Sequence, residues 1–216
     1  TLRVNPLPAA NPASLAVCEQ DPPGSGLGVF NLTSANATVN NTAGVTLSYH
    51  LTLSEAQAGI NALGAIITSA STVLYARVVQ NSTGCFNTAA VTLTIRPRPV
   101  AYSGQLQACP DQFDGSQATF TLSNANVQVT GGVGGLTVTY HQSLTHAQQG
   151  INALSNVYTS PTDDVWVRVS NGFGCFDVDQ VQLVVLDDPE ILASGTDVSC
   201  VGGTDGMVTV AVLGGA

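Results

Sequence analysis

Lysine is absent from the 216 residues, and the only arginines are Arg3, Arg77, Arg96, Arg98 and Arg168. Against them stand 14 aspartates and glutamates, so the formal net charge is −9, yet charged residues make up only 9% of the chain. A globular domain commonly carries about a quarter. Nucleic acid and anionic membrane both require clustered cations, so the balance argues against both as partners. No apolar run approaches the roughly 18 residues of a spanning helix, so membrane insertion is not expected. The chain shows no cleavable leader and opens on Thr1-Leu2-Arg3-Val4, which reads as a strand. Gly-x-Ser-x-Gly elbows, phosphate-binding loops and matched catalytic carboxylates are missing. An enzyme is therefore not expected. Cys-x-x-Cys pairs and a histidine at short spacing from a cysteine are also missing, which argues against zinc.

What remains is apolar and neutral. Hydrophobic residues reach 44%, enough for packed cores, while aromatic residues stay at 6%. The polar remainder is Thr, Ser, Asn, Gln and Gly, the neutral coat of extracellular repeat proteins.

Repetition organises the chain. Cys18, Cys109 and Cys200 follow one another at intervals of 91, and Cys85 and Cys175, each inside Gly-Cys-Phe, stand 90 apart. The same offset lays Ser48-Tyr49-His50 on Thr139-Tyr140-His141 and Gly59-Ile60-Asn61-Ala62-Leu63 on Gly150-Ile151-Asn152-Ala153-Leu154. It also lays Tyr75-Ala76-Arg77-Val78 on Trp166-Val167-Arg168-Val169. The divisions are residues 1–8, the last strand of a preceding repeat; 9–98 and 99–188, two whole repeats; and 189–216, the beginning of a third. On this reading the chain is a window on a longer array, or a subunit completed by strand addition from its neighbours. Pro6-Leu7-Pro8 and Pro97-Arg98-Pro99 mark short, stiff joints.

Within a copy, alternating and β-branched runs predict strands over Ser14–Cys18, Val29–Leu32, Val45–Leu51, Val73–Gln80 and Ala90–Ile95. The second copy repeats them over Gln105–Cys109, Ala118–Leu122, Leu136–His141, Val165–Ser170 and Gln180–Val185. Short strands in about 90 residues predict an all-β fold of tandem immunoglobulin-like antiparallel β-sandwiches. Ser54 with Gln57, and Thr145 with Gln148, read as capping boxes. Each places one short crossover helix between the sheets, pinned on the core by Ile60 and Leu63 or Ile151 and Leu154.

Two cysteines at matching places in each copy predict one disulfide per copy, Cys18 with Cys85 and Cys109 with Cys175, closing loops of 67 and 66 residues. Cys200 is then unpaired within the chain. Such bonds imply an oxidising compartment. Repeat-equivalent His50 and His141 read as structural hydrogen-bonding residues. Arg77 and Arg168 read as stacking on an aromatic ring or bonding structurally. Asp111 and Asp114, after Cys109, could offer oxygens to Ca²⁺, although Asp-x-Asp-x-Asp-Gly is missing and solvated turn carboxylates are the other reading. No other metal or cofactor is implied.

The second copy resembles the Ig-like repeats of large Bacteroidota surface proteins exported by type IX secretion. The resemblance runs through Cys109, Asp111 and Asp114, Phe120-Thr121-Leu122, Thr139-Tyr140-His141, Gly150-Ile151-Asn152, Val165-Trp166-Val167-Arg168-Val169 and Gly174-Cys175-Phe176. The first copy matches at Cys18, Phe30-Asn31-Leu32, Tyr49-His50 and Tyr75-Ala76-Arg77-Val78. The tail from Cys200 to Val210 is similar to the opening of an SprB-type repeat of gliding adhesins. The resemblance implies a stalk or filament unit of an extracellular adhesin, with neighbouring repeats or identical subunits as partners. The alternative is a carbohydrate- or surface-binding module using exposed aromatics such as Tyr102 or Phe113.

Overall fold

A computed structural model describes residues 4–111, 116–187 and 189–213. The expected strand at Thr1–Val4 falls largely outside them, as do Phe113 and Asp114. The chain divides into two units, Thr1–Arg98 and Pro99–Ala216, each with its own hydrophobic core.

The first unit runs β1 (Ala13–Cys18), β2 (Gly28–Asn31), a 3-10 turn (Leu32–Ala35), α1 (Asn36–Val39), β3 (Val45–His50), α2 (Leu53–Ala58), β4 (Ile66–Ser69), β5 (Thr72–Gln80) and β6 (Phe86–Arg96). It is an immunoglobulin-like sandwich. A four-stranded sheet, ordered β1-β6-β5-β3, shares its core with the two-stranded β2-β4 sheet. Alternation produces this: Leu74, Ala76 and Val78 of β5 are fully buried, while Val73, Tyr75 and Arg77 point the other way. Phe30, Leu32, Val39, Val91 and Leu93 complete the core. The Tyr49 hydroxyl donates to Asn36 Oδ1 at 2.7 Å, and burial pushes its pKa up to about 12.

The second unit repeats the plan with β7 (Gly104–Ala108), β8 (Ala118–Thr121), a 3-10 turn (Leu122–Ala125), α3 (Asn126–Val129), β9 (Thr137–His141), α4 (Leu144–Gln149), β10 (Val157–Ser160), β11 (Asp163–Ser170) and β12 (Phe176–Val185). Its sheets are β7-β12-β11-β9 and β10-β8. Beyond them β13 (Glu190–Thr196) and β14 (Met207–Leu213) form an antiparallel hairpin exposed along its whole length.

One pairing departs from an all-antiparallel plan. First and last strands lie parallel, with β1 beside β6 from Ala13↔Val91 to Cys18↔Arg96, and β7 beside β12 from Gly104↔Val181 to Ala108↔Val185. The chain therefore enters a unit at one end of the sheet and leaves at the other.

The helix starts also differ from expectation. The caps stand two residues earlier than the anticipated boxes. Thr52 forms a full capping box with Glu55, and Ser143 accepts from the His146 N–H. Extended backbone ends at those residues, so Leu53 and Leu144 are already helical. As expected, α2 and α4 are the crossovers from one sheet to the other, joining β3 to β4 and β9 to β10. They cover the outer side of β5 and β11, where Arg77 and Arg168 project. Leu63 and Leu154 reach the core, whereas Ile60 and Ile151 are 55% and 45% exposed. The short α1 and α3 add a second helical turn to each copy.

Candidate functional site

Strand direction decides where the cysteines go. Cys18 closes β1 opposite Arg96, at the end where the chain leaves the first unit. Cys85 sits before Phe86 in the β5–β6 turn, its carbonyl accepting from the Gln80 N–H at 2.9 Å. That is the end where the chain enters, since the Asn87 side chain donates to the Pro8 carbonyl at 3.2 Å. Arg96 and Phe86 are ten residues apart on one strand, about 33 Å at ~3.3 Å per residue. Disulfide-bonded Cα atoms stand only about 4.4–6.8 Å apart.

The second unit repeats this separation. Cys109 follows Ala108, which accepts from the Leu186 N–H at the end where the chain leaves. Cys175 precedes Phe176, where Asp177 accepts from the Ala101 N–H at 2.9 Å and holds the entering chain. Accordingly Cys18 and Cys175 are the disulfide-bonded cysteines, and Cys85, Cys109 and Cys200 carry free thiols. Neither expected bond forms: Cys18 is not joined to Cys85, nor Cys109 to Cys175. Both were inferred from equal spacing, which fixes equivalence between copies but not proximity within one.

The residue after the second cysteine anchors the strand that begins there. The Arg168 guanidinium lies 3.4 Å from the centroid of Phe176, and Arg77 lies 3.5 Å from that of Phe86. The same guanidinium nitrogen donates to two carbonyls at the end of the adjacent helix. Arg168 Nη1 reaches Ala147 and Gln148 at 2.9 and 2.8 Å, and Arg77 reaches Ala56 and Gln57, each at 2.8 Å. Helices of six residues leave their last carbonyls short of intrahelical donors, and this cation supplies a donor to each, beside the Gly150 N–H that Ala147 also accepts. Burial depresses the Arg168 pKa below its ordinary value. Gly59 and Gly150 end the two helices in the left-handed region at φ 72° and 68°. A Cβ there would also crowd Arg77 or Arg168 Nε at 3.3 or 3.4 Å.

Each histidine is closed into its own sheet. His141 Nδ1 is 2.8 Å from the Ile151 carbonyl, and Nε2 is 2.9 Å from Thr139 Oγ1. His50 repeats this with Ile60 and Ser48 at 2.7 and 2.9 Å. The carbonyl can only accept, so Nδ1 carries a proton, while the hydroxyl engages Nε2, leaving both ring nitrogens bonded. Burial is the main cause holding the His141 pKa below 6.5. In the unfolded chain that group protonates near 6.5, so its stability contribution is complete above that pH. It falls as pH drops through 6.5 toward the lower folded value. The urea midpoint of the second unit should therefore decrease from pH 7.5 to 5.5, and His141→Gln should flatten the slope in that window.

Among the acidic residues, Glu19 accepts from the Gly24 and Gly26 N–H groups, which lower its pKa. Asp111 accepts from Thr119 Oγ1 at 2.6 Å. Among the described residues no cluster of three His, Cys, Asp or Glu side chains could hold a metal, and no helix is long and apolar enough to cross a membrane. Tyr102 is 49% exposed, beside Gly131.

Residues 14–99 and 105–189 each match one family, described as the Flavobacterium inter-domain disulphide bond domain. No curated protein matches the chain. Among solved structures, a three-Ig segment of titin in an E-to-A variant is 8% identical, covering 94% of this chain and 74% of that one, with a TM-score of 0.28. Extracellular domains 3–5 of Drosophila OTK are 10% identical, covering 81% of this chain and 60% of that one, with a TM-score of 0.30. A SusE-like surface located polysaccharide binding protein from Bacteroides thetaiotaomicron is 12% identical, covering 84% and 34%, with a TM-score of 0.31.

Proposed function

Because the chain belongs to the Flavobacterium inter-domain disulphide bond domain family, we propose that it is a structural segment of an extracellular stalk or filament, stiffened by bonds from each repeat to the next. On this reading the first cysteine of one copy, Cys18, pairs with the second cysteine of the following copy, Cys175, the two cysteines that are disulfide-bonded. The same rule assigns Cys109 to the second cysteine of a copy that follows, and Cys85 to the first cysteine of a copy that precedes. Its role is to hold an adhesive element away from the cell surface and to perform no chemistry of its own.

The observation that carries this reading is the placement of both cysteines at opposite ends of each unit. A staple for a single sandwich needs them adjacent; a link between consecutive sandwiches needs one at each end. The Pro97-Arg98-Pro99 joint adds stiffness, since proline fixes φ and donates no hydrogen bond. Export follows, because such bonds persist only outside the reducing cytosol.

Peptide mapping without reduction, on a chain extended by one further whole copy, tests the rule. A cross-linked peptide joining Cys109 to the second cysteine of the added copy is expected. A peptide joining Cys109 to Cys175, or Cys18 to Cys85, would overturn it.

A further inference from the structure

The outer face of the second unit's large sheet carries side chains that the equivalent face of the first unit lacks. In β11 Val165, Val167 and Val169 are buried in the core, so Asp164 and Trp166 stand on the opposite side. In β12 Val181 and Leu183 are buried, which places Gln180 and Gln182 there too. Gln105 and Gln107 of β7 are exposed on the same face. Register sets Gln105 beside Gln182, Gln182 beside Asp164, and Gln180 beside Trp166. The amides form a ladder: Gln105 Nε2 donates to Gln182 Oε1 at 2.8 Å, and Gln107 Nε2 donates to Gln105 Oε1 at 3.4 Å. Helix α4 covers the neighbouring part of the face over Arg168, leaving Trp166 partly exposed at the border. In the first unit these positions hold Ser14, Ala16, Val73, Tyr75, Ala90 and Thr92.

We propose that this face binds a neutral polysaccharide. A carboxamide both donates and accepts, as a sugar hydroxyl does, and the indole offers an apolar face beside a polar N–H. Holding the glutamines in a ladder lowers the entropy lost when a ligand orders them. Their spacing, about 4.8 Å across strands and ~6.7 Å along them, forms a flat comb suited to an extended polymer. Charge selects among polymers. Arg168 is committed to Ala147, Gln148 and Phe176, so among the described residues of this face a sulfated or carboxylated chain meets no uncommitted cation. Asp164 and the net charge of −9 oppose both an anionic polymer and a second copy of this chain. The inference stands apart from the linkage rule, since it concerns one face of one unit.

Native affinity electrophoresis of the full chain through gels containing β-1,3-glucan, xyloglucan, galactomannan, mannan, alginate or heparin tests it. At least one neutral polymer should retard the protein, and alginate and heparin should not. Gln105→Ala with Gln182→Ala should weaken retardation roughly tenfold or more. Trp166→Tyr, which installs the first unit's residue and preserves the fold, should weaken it as well. Ser14→Ala with Thr92→Ala should change nothing. Retardation by no neutral polymer, retention only by the anionic ones, or undiminished binding by the face variants would overturn the proposal. So would loss of self-association, instead of glycan binding, in the face variants on sedimentation.

Discussion

Denatured without reductant, the chain should release three thiols, and the Cys18→Ser variant four. Five cysteines are present and two are bonded, whereas one bond within each copy would leave a single thiol. The same substitution should lower the melting of both units together. When the first unit unfolds, its disordered segment from Cys18 to the joint stays anchored at both ends. Its anchors are Cys175 and Ala101, which the Asp177 contact holds close in the second unit. When the second unfolds, its ends are held at Cys18 and Arg96, neighbours in the first. Each unfolding thus meets a closed loop, and opening the bond removes a constraint worth about 4 kcal/mol from each. For units of about 90 residues that corresponds to ~15–30 °C. Calorimetry checks it: Cys18→Ser and Cys175→Ser should shift both transitions, and Cys85→Ser and Cys109→Ser neither. A shift confined to one unit would refute the bond between copies.

Arg168→Ala should destabilise the second unit by about 2–4 kcal/mol. The variant loses the contact over Phe176, worth ~0.5–2 kcal/mol, and the charge-assisted bonds to the Ala147 and Gln148 carbonyls, worth about 1.5–3 kcal/mol, although Ala147 keeps the Gly150 N–H. Arg168→Lys should recover little, because an ammonium lacks the plane that stacks while its nitrogens bond outward. Arg77→Ala should do the same to the first unit and leave the second unchanged, which calorimetry of the full chain resolves.

The sequence made the core side of each strand legible, because Val165, Val167 and Val169 alternate with polar or aromatic neighbours and only one face can be buried. It also made Arg77 and Arg168 legible as stacking residues, though not the carbonyls they bond, which come from a helix twenty residues away. The short strands β4 and β10 were not legible because the apolar residues that open them, Ile66 and Val157, face solvent at 66% and 62%, so hydrophobicity does not mark their core side. Strand direction was the decisive omission. Had β1 and β6 been antiparallel, Cys18 at the end of one and Cys85 at the start of the other would be neighbours. Nothing in the side-chain pattern distinguishes the two directions, because the period of two is the same in both. The glutamine ladder was equally hidden, since Gln105 and Gln182 meet only across that parallel pair.

The parallel pairing has a consequence for a chain under tension. While the Cys18 bond is closed, a pull between the ends passes from β1 through it into β12 and spares both ladders. Once it is reduced, the first unit is gripped through β1 and β6, whose six register pairs lie across the direction of pull. The second is gripped through the five pairs of β7 and β12. Those ladders are sheared and must give way together, so forced opening passes over one high barrier. The antiparallel β13–β14 hairpin starts and finishes at adjacent residues, Glu190 and Leu213, and would peel apart one pair at a time. Two sandwiches that resist as single units, followed by a ribbon that yields stepwise, make a tether whose weakest stretch is set by strand direction and not by core size.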